Sequence, residues 1–283
     1  MTSSLFDVFE KKLSYFYLET FSTTDYNSFG TSEKALQRMK VLIVTDLDNT
    51  LVGDDKALQT LNNKLSTVRD NIGLVYATGR SYGSTRYLME EAGLLEPDYF
   101  ITGVGSEIYR EGSLDSEWKT HLSQDWDRQS ICKVASEFSE LALQPQPEQN
   151  PWKISFFLHP AATEKMIDNL KLRLQHSGLN AQVVFSSGRD VDILPQNSNK
   201  GNATIYLQQR LAVSPEKTLV CGDSGNDISL FEVNARGVIV GNARSELLNW
   251  HRNFGETRHF LAKAHCAGGI LEAIAHFDLF AQI

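Results

Sequence analysis

The run Lys40-Val41-Leu42-Ile43-Val44-Thr45-Asp46-Leu47-Asp48-Asn49-Thr50 decides how the chain is read. Five of the six residues from Val41 through Asp46 suit a buried strand, being β-branched or Leu. A short continuous apolar run of this kind fits the centre of a parallel sheet covered on both faces. It ends on two acids, Asp46 and Asp48, followed by Asn49 and Thr50. Asp is a poor strand former, so the acids fall where strand gives way to loop. In open α/β sheets that carboxyl edge is where ligands bind. Two fixed carboxylates repel unless a cation lies between them. A hard divalent ion such as Mg²⁺ suits them, because it takes oxygen ligands and leaves positions for phosphate. Taken alone, Asp48-Asn49-Thr50 also reads as a turn and helix cap, since D-x-D-x-T is a weak motif.

Downstream the rhythm repeats. Leu58, Leu61 and Leu65 recur at helical spacing within 57–68. Ile72 to Ala77 is a second buried strand, ending at Thr78-Gly79-Arg80-Ser81. Ser81 caps a helix to about Ala92, with Gly93 as its left-handed stop. A hydroxyl such as Thr78 at a strand end, beside a helix N-terminus, is a phosphate donor. Tyr99 to Thr102 is a third strand, and Gly103-Val104-Gly105 leads into a hairpin arm over 106–109. From Trp118 the texture changes. A helix is expected over 130–141, a Pro/Gln loop over 144–151 and a strand over 152–158. A helix over 163–175 and strands over 182–185 and 191–194 come next. This mixed α and β insertion, 117–195, reads as a cap. The core then resumes with a helix from Ser198-Asn199-Lys200-Gly201 to Leu211. A cation in a first helical turn is disfavoured unless an anion binds alongside. Thr218 to Gly222 is another strand, ending in Asp223-Ser224-Gly225-Asn226-Asp227. Asp227 could cap the next helix; Asp223 has no such role. A strand over 237–240 and short helices over 246–250 and 269–277 complete the chain.

The 283 residues, 41% hydrophobic, suffice for one large domain or two modest ones. A net charge of -8 leaves no nucleic-acid or anionic-membrane footprint, and no apolar run reaches a membrane span. Three widely spaced cysteines, Cys132, Cys221 and Cys266, read as reduced thiols in a cytoplasmic protein. Residues 1–38 do not match the rest of the chain and read as a mobile N-terminal extension, with a docking arm as the alternative. The expected division is therefore 1–38 extension, 39–116 plus 196–283 core, and 117–195 cap.

The order of these features resembles the haloacid dehalogenase-like (HAD) phosphatase superfamily: Asp46-Leu47-Asp48-Asn49-Thr50, Thr78, Lys200, then Gly222-Asp223-Ser224-Gly225-Asn226-Asp227. The insertion lies where one branch carries an α/β cap. The segments 78–82, 103–109, 150–155, 186–192 and 198–203 resemble the sucrose-phosphate phosphatases of cyanobacteria and plants. The resemblance covers about Met39 to Ile283 and implies a Rossmann-like parallel-sheet core with an inserted α/β cap domain.

It further implies hydrolysis of sucrose-6-phosphate through an aspartyl-phosphate, with Asp46 as nucleophile and Asp48 as acid and base. Asp48 must then start protonated, by a raised pKa or a proton shared within the acidic cluster. Mg²⁺ is expected at Asp46, the Asp48 carbonyl and Asp223, with Asp227 close by. Thr78, Gly79, Lys200 and Asn226 are the expected phosphate contacts. Candidate sugar contacts are Arg80 and Tyr82 on the core and Asn150, Lys153, Arg189 and Asp190 on the cap; Trp152 reads as packing. A monomer is expected, and sucrose-phosphate synthase is a candidate partner. The rival readings are a related phosphatase for another sugar phosphate and a non-catalytic partner module of that synthase.

Overall fold

A computed structural model describes residues 39–162, 164–281 and 283. The expectation for residues 1–38 lies outside the described residues. Arg38–Ile283 forms one compact unit.

In chain order, β1 (Val41–Thr45) leads to α1 (Asp55–Thr67), capped by the Asp54 carboxylate accepting from the Ala57 amide at 3.0 Å. Next come β2 (Ile72–Ala77), α2 (Tyr82–Ala92), β3 (Tyr99–Thr102), β4 (Glu107–Arg110) and β5 (Ser113–Leu114). Ser81 caps α2 and Gly93 ends it at φ +64°, as expected. Then come α3 (Ser116–Ser123), α4 (Arg128–Ala135), β6 (Leu141–Leu143) and β7 (Ile154–Leu158). After these lie α5 (Glu164–His176), β8 (Ala181–Ser186) and β9 (Asp190–Pro195). The last part holds α6 (Lys200–Leu211), β10 (Thr218–Gly222), α7 (Ile228–Glu232), β11 (Arg236–Ile239), α8 (Ser245–Phe254), β12 (His259–Leu261) and α9 (Cys266–His276).

The large sheet has the order β12-β11-β10-β1-β2-β3-β4-β5, parallel from β12 to β3. β1 lies between β10 and β2, so the chain winds away from it in both directions. That is the switch point of an open α/β sheet, and the crevice beyond its strand ends receives ligands. β1 is buried at every position. Val41 and Ile43 pack with Leu58, Leu61 and Leu65 of α1 and Ile270 and Ile274 of α9, while the alternate residues face the other side.

The second sheet, β6-β7-β9-β8, is wholly antiparallel. Its alternation is clean. Ile154, Phe156, Leu158, Val191 and Ile193 pack with Ile131 and Val134 of α4 and Met166, Ile167, Leu170 and Leu174 of α5. The intervening residues, including Ser155, Phe157, Asp190 and Asp192, take the opposite face. The helix expected over 130–141 stops at Ala135, and Leu141–Leu143 pairs as a strand with Phe156–Leu158. Backbone pairing at the free edge of β7 overrode a helical spacing of apolar residues.

His259 on β12 is buried beside Phe231 and Trp250, and its Nδ1 accepts from the Glu256 amide at 3.1 Å. Burial, with help from Arg258, pulls this imidazole down to about 4. The unfolded chain then binds a proton that the native chain refuses between pH 6.5 and 4, so stability falls as pH drops through that window. At pH 5 this one group costs about 2 kcal/mol relative to neutral pH. Between pH 7.5 and pH 5, denaturant titrations should show wild type losing about 2 kcal/mol relative to His259→Gln, a difference from which groups common to both proteins cancel. Equal losses in both proteins would reject the assignment.

Candidate active site

The site lies where β1 and β10 end. β1 pairs with β10 in register through Thr45 and Cys221, and the Asp46 amide continues the ladder onto the Cys221 carbonyl at 3.0 Å. This brings Asp46 opposite the loop after Gly222. Asp46, Asp223 and Asp227 are all buried, with one carboxylate oxygen from each within 4.8 Å of the others. The Asp227 carboxylate accepts from the amides of Asp223 and Ser224, both at 3.0 Å, which folds the loop into a tight turn. Thr50 donates to Asp223 at 3.5 Å.

Lys200 is the counter-charge. Its ammonium is wholly buried and donates to Asp46 and Asp227, both at 2.7 Å, and to Asn226 at 3.1 Å. Asn199 caps α6 by accepting from the Asn202 amide, so Lys200 opens the first turn as expected. Its depth depends on Gly201: a Cβ there would lie 2.0 Å from the Ser229 carbonyl oxygen, so only glycine lets α6 approach so closely.

Three carboxylates face one ammonium, and the electrostatics reflect that surplus. Burial pushes the Asp46 carboxyl well up against the pull of Lys200, with Asp227 and Asp223 adding to the rise. Burial, then Asp227, pushes Asp223 up to about 7. Burial pulls Lys200 down, but Asp227 and Asp46 outweigh it and hold the ammonium above its ordinary range. Such surplus negative charge on converging oxygens fits a hard divalent cation such as Mg²⁺. Asp46, Asp223 and Asp227 would hold it.

Asp48 stands outside this cluster. Its carboxylate is half exposed, and both oxygens accept from the Arg80 guanidinium at 2.7 Å. Arg80 is steadied by Ser84 at 3.0 Å. A two-pronged fork of this kind fixes the orientation of the carboxylate. The Asp48 carboxylate thus contacts Arg80 rather than the acidic cluster. Thr78 is buried, and its hydroxyl oxygen accepts from the Arg80 amide at 3.1 Å, which leaves the hydroxyl proton to donate elsewhere. Behind this loop Val104 holds φ +60°, strained for a β-branched residue, while its amide donates to the Thr78 carbonyl.

One cavity of about 460 Å³ takes in much of this set. From the large sheet it is lined by Asp46, Asp48, Thr78, Gly79, Arg80, Asp223 and Asn226. From the small sheet come Lys153, Arg189 and Asp190, three of the candidate sugar contacts, together with Gln144, Glu148, Phe157, Ser186 and Asp192, which sequence reasoning missed. Asp192 was recoverable, because it shares the strand face of Asp190. Lys153 is buried, donates to the Gly79 carbonyl at 3.3 Å and lies 3.6 Å from Asp192. Ser155 donates to Asp192 at 2.5 Å. The Arg189 guanidinium lies 4.5 Å from the centre of the Phe157 ring. Lys200 and Asp227 sit behind the wall rather than on it.

Two candidates do not reach the cavity. Tyr82 stacks on Tyr109, ring centres 4.2 Å apart, and meets Phe100 edge-on. Asn150 spends its amide on the Ser106 hydroxyl at 2.8 Å and its oxygen on the Trp152 amide at 2.8 Å. Both are corrected to structural parts. Trp152 is buried, as read.

Residues 39–278 match the family described as Sucrose-6F-phosphate phosphohydrolase. Sucrose-phosphatase 2 of Nicotiana tabacum is 40% identical over 255 residues, which cover 85% of this chain and 60% of the tobacco protein. The chain thus spans about three fifths of that relative's length. Mannosylfructose-phosphate phosphatase of Agrobacterium fabrum is 33% identical over 243 residues, 84% of this chain and 97% of the other. The X-ray structure of the sucrose-phosphatase from Synechocystis, in complex with sucrose and phosphate, is 55% identical with a TM-score of 0.85. It covers 86% of this chain and 100% of its own. Solved HAD-like hydrolases at 15–20% identity share the fold.

Proposed function

This chain belongs to the sucrose-6F-phosphate phosphohydrolase family, and we propose that it hydrolyses sucrose-6-phosphate to sucrose and inorganic phosphate with Mg²⁺. The observation that carries this reading is one cavity where the buried Asp46, the polar groups of Thr78, Gly79 and Asn226, and a polar cap face converge. Its volume lies within the ~300–1,000 Å³ usual for small-molecule sites. The cap contributes side chains suited to hydroxyls rather than apolar groups: Lys153, Arg189, Asp190, Asp192 and Gln144.

Asp46 attacks phosphorus and forms an aspartyl-phosphate as the bond to the sugar oxygen breaks. Lys200 holds one Asp46 oxygen and so sets the rotation of the carboxylate. Asp48, having taken a proton from solvent, gives it to the departing sugar oxygen. Water then attacks the aspartyl-phosphate, Asp48 takes its proton, and phosphate leaves. Arg80 aims the Asp48 carboxylate and also lines the cavity, where it remains a candidate sugar contact. Thr78 and the Gly79 amide receive the phosphoryl oxygens, with Asn226 beside them. When bound, Mg²⁺ screens the anionic nucleophile from the anionic ester and stabilises the charge on the transferring group.

The test is phosphate release from sucrose-6-phosphate, mannosylfructose-phosphate, glucose-6-phosphate, fructose-6-phosphate and trehalose-6-phosphate, with Mg²⁺ and with chelator. Sucrose-6-phosphate should be preferred by kcat/KM at least about tenfold, the scale of discrimination a few fixed polar contacts supply. Chelator should abolish turnover. Preference for mannosylfructose-phosphate would favour the second reading, which rests on the Agrobacterium relative matched over nearly its whole length. Release from none of these by folded protein would leave the non-catalytic module.

The division of the unit is also a proposal. α3 falls at the expected cap boundary, but its Trp118 packs on Tyr206 of α6 and donates to the Gly105 carbonyl at 3.0 Å. We therefore take the cap as 124–195 in place of the expected 117–195. The three cysteines are unpaired and, among the described residues, no helix is long and apolar enough to cross a membrane. The cytoplasmic location, the monomeric state and the pairing with sucrose-phosphate synthase are proposals that rest on the sequence reading and the resemblance alone.

A further inference from the structure

The connection from β11, together with the first turn of α8, fastens three separate pieces of the site. The Asn242 amide donates to the Asn49 carbonyl at 2.7 Å, holding the loop that carries Asp48. The Arg244 backbone amide donates to the Asp223 carbonyl at 2.7 Å, holding the acidic loop. The Glu246 carboxylate accepts from the Ser187 amide at 3.1 Å, and Ser187 belongs to the cap.

The third contact crosses from core to cap. Ser187 and Gly188 form the turn between β8 and β9, both left-handed at φ +57° and +66°. The Arg189 amide closes that turn onto the Ser186 carbonyl at 3.1 Å. The Ser187 amide has no partner inside such a turn, so in a free hairpin it faces water. Here it meets a carboxylate instead. The approach is close: a Cβ on Gly225 would lie 2.7 Å from the Phe185 carbonyl oxygen and 3.0 Å from Glu246 Cγ. The acidic loop therefore sits between the hairpin and the start of α8. Ser186, Ser187, Arg189 and Asp190 of the same hairpin line the cavity, so wherever the turn is held, those side chains are held over the phosphate corner. On another wall, Lys153 reaches the Gly79 carbonyl.

We infer that Glu246 is a latch that sets the closed position of the cap, and with it the affinity for the sugar part of the substrate. Glu246 is a positioning residue: it is not among those lining the cavity and acts through the hairpin. The sugar arm of this inference rests on the phosphatase reading above; the latch itself does not.

The test compares wild type, Glu246→Ala and Glu246→Gln. Gln keeps a carbonyl oxygen for the Ser187 amide and should behave nearly as wild type. In Glu246→Ala, KM for sucrose-6-phosphate should rise about three- to tenfold, the scale of one partly exposed charge-assisted hydrogen bond. kcat/KM for p-nitrophenyl phosphate, which has no sugar for the cap to grip, should stay within about twofold if only closure is lost. Amide hydrogen exchange over 185–189 should quicken in the Ala variant alone. An unchanged KM with unchanged exchange would overturn the latch. Equal losses on both phosphoesters would also overturn it, since Glu246 would then support the acidic loop. If wild type showed no preference for the sugar ester, the sucrose-6-phosphate reading would fail, and the exchange comparison would still decide the latch.

Discussion

Asp46→Asn should lower phosphate release from sucrose-6-phosphate by roughly 10⁴-fold or more while leaving the fold intact. The reason is local. Asn retains the oxygen that accepts from Lys200, so the carbonyl stays where the carboxylate was. What it loses is the charge and nucleophilicity that must attack phosphorus. The fold should not suffer, because burial already opposes the charge on Asp46 and pushes its carboxyl up. Replacing it by a neutral isostere removes one of three buried acids that share a single ammonium. In chelator the melting temperature of the variant should therefore match or exceed that of wild type. Retention of activity within about tenfold would remove Asp46 as the nucleophile. A cooperative unfolding transition with no activity would place the loss on chemistry rather than on folding.

Much of this site is legible in the sequence because central parallel strands announce themselves. Val41–Thr45, Ile72–Ala77 and Thr218–Gly222 are continuous apolar runs, and each stops at the residues that matter. Edges are harder. Leu141–Leu143 and His259–Leu261 are three-residue strands at sheet edges, too short for alternation to register, and the first fits a helical spacing instead. Side-chain partners are harder still. Arg80 is a candidate sugar contact on sequence, and its fork onto Asp48 is a partner that no local pattern announces. Tyr82 belongs to the first turn of α2, whose rotation points it at Tyr109. Lys200 is expected beside an anion, but its complete burial depends on how closely α6 approaches Ser229, a distance that no local pattern encodes.

Lys200 carries the second large effect, this time on stability as well as rate. Its ammonium is the one cation in contact with Asp46 and Asp227 among the described residues, and it is fully buried. Lys200→Met keeps much of the stem and removes the charge. The acidic cluster is then uncompensated, which costs about 3–5 kcal/mol when one partner of a buried pair is deleted. The pH dependence has a definite sign. Asp46 and Asp223 have carboxyls raised in the native state, so the native chain holds protons that the unfolded chain releases. Native stability from these groups therefore declines as pH rises toward and past about 7. Removing the ammonium raises both groups further, so the variant's deficit in chelator should be larger at pH ~8 than at pH ~6. Activity should fall by about 10³-fold, the scale for losing a fixed charge at a phosphoryl site. Lys200→Met combined with Asp227→Asn separates the two effects. Asn can still accept from the Asp223 and Ser224 amides, so the loop keeps its turn while one orphaned charge disappears. The double variant should regain most of the stability and none of the rate. A double variant no more stable than Lys200→Met would mean that packing of the lysine stem, not its charge, holds this corner together.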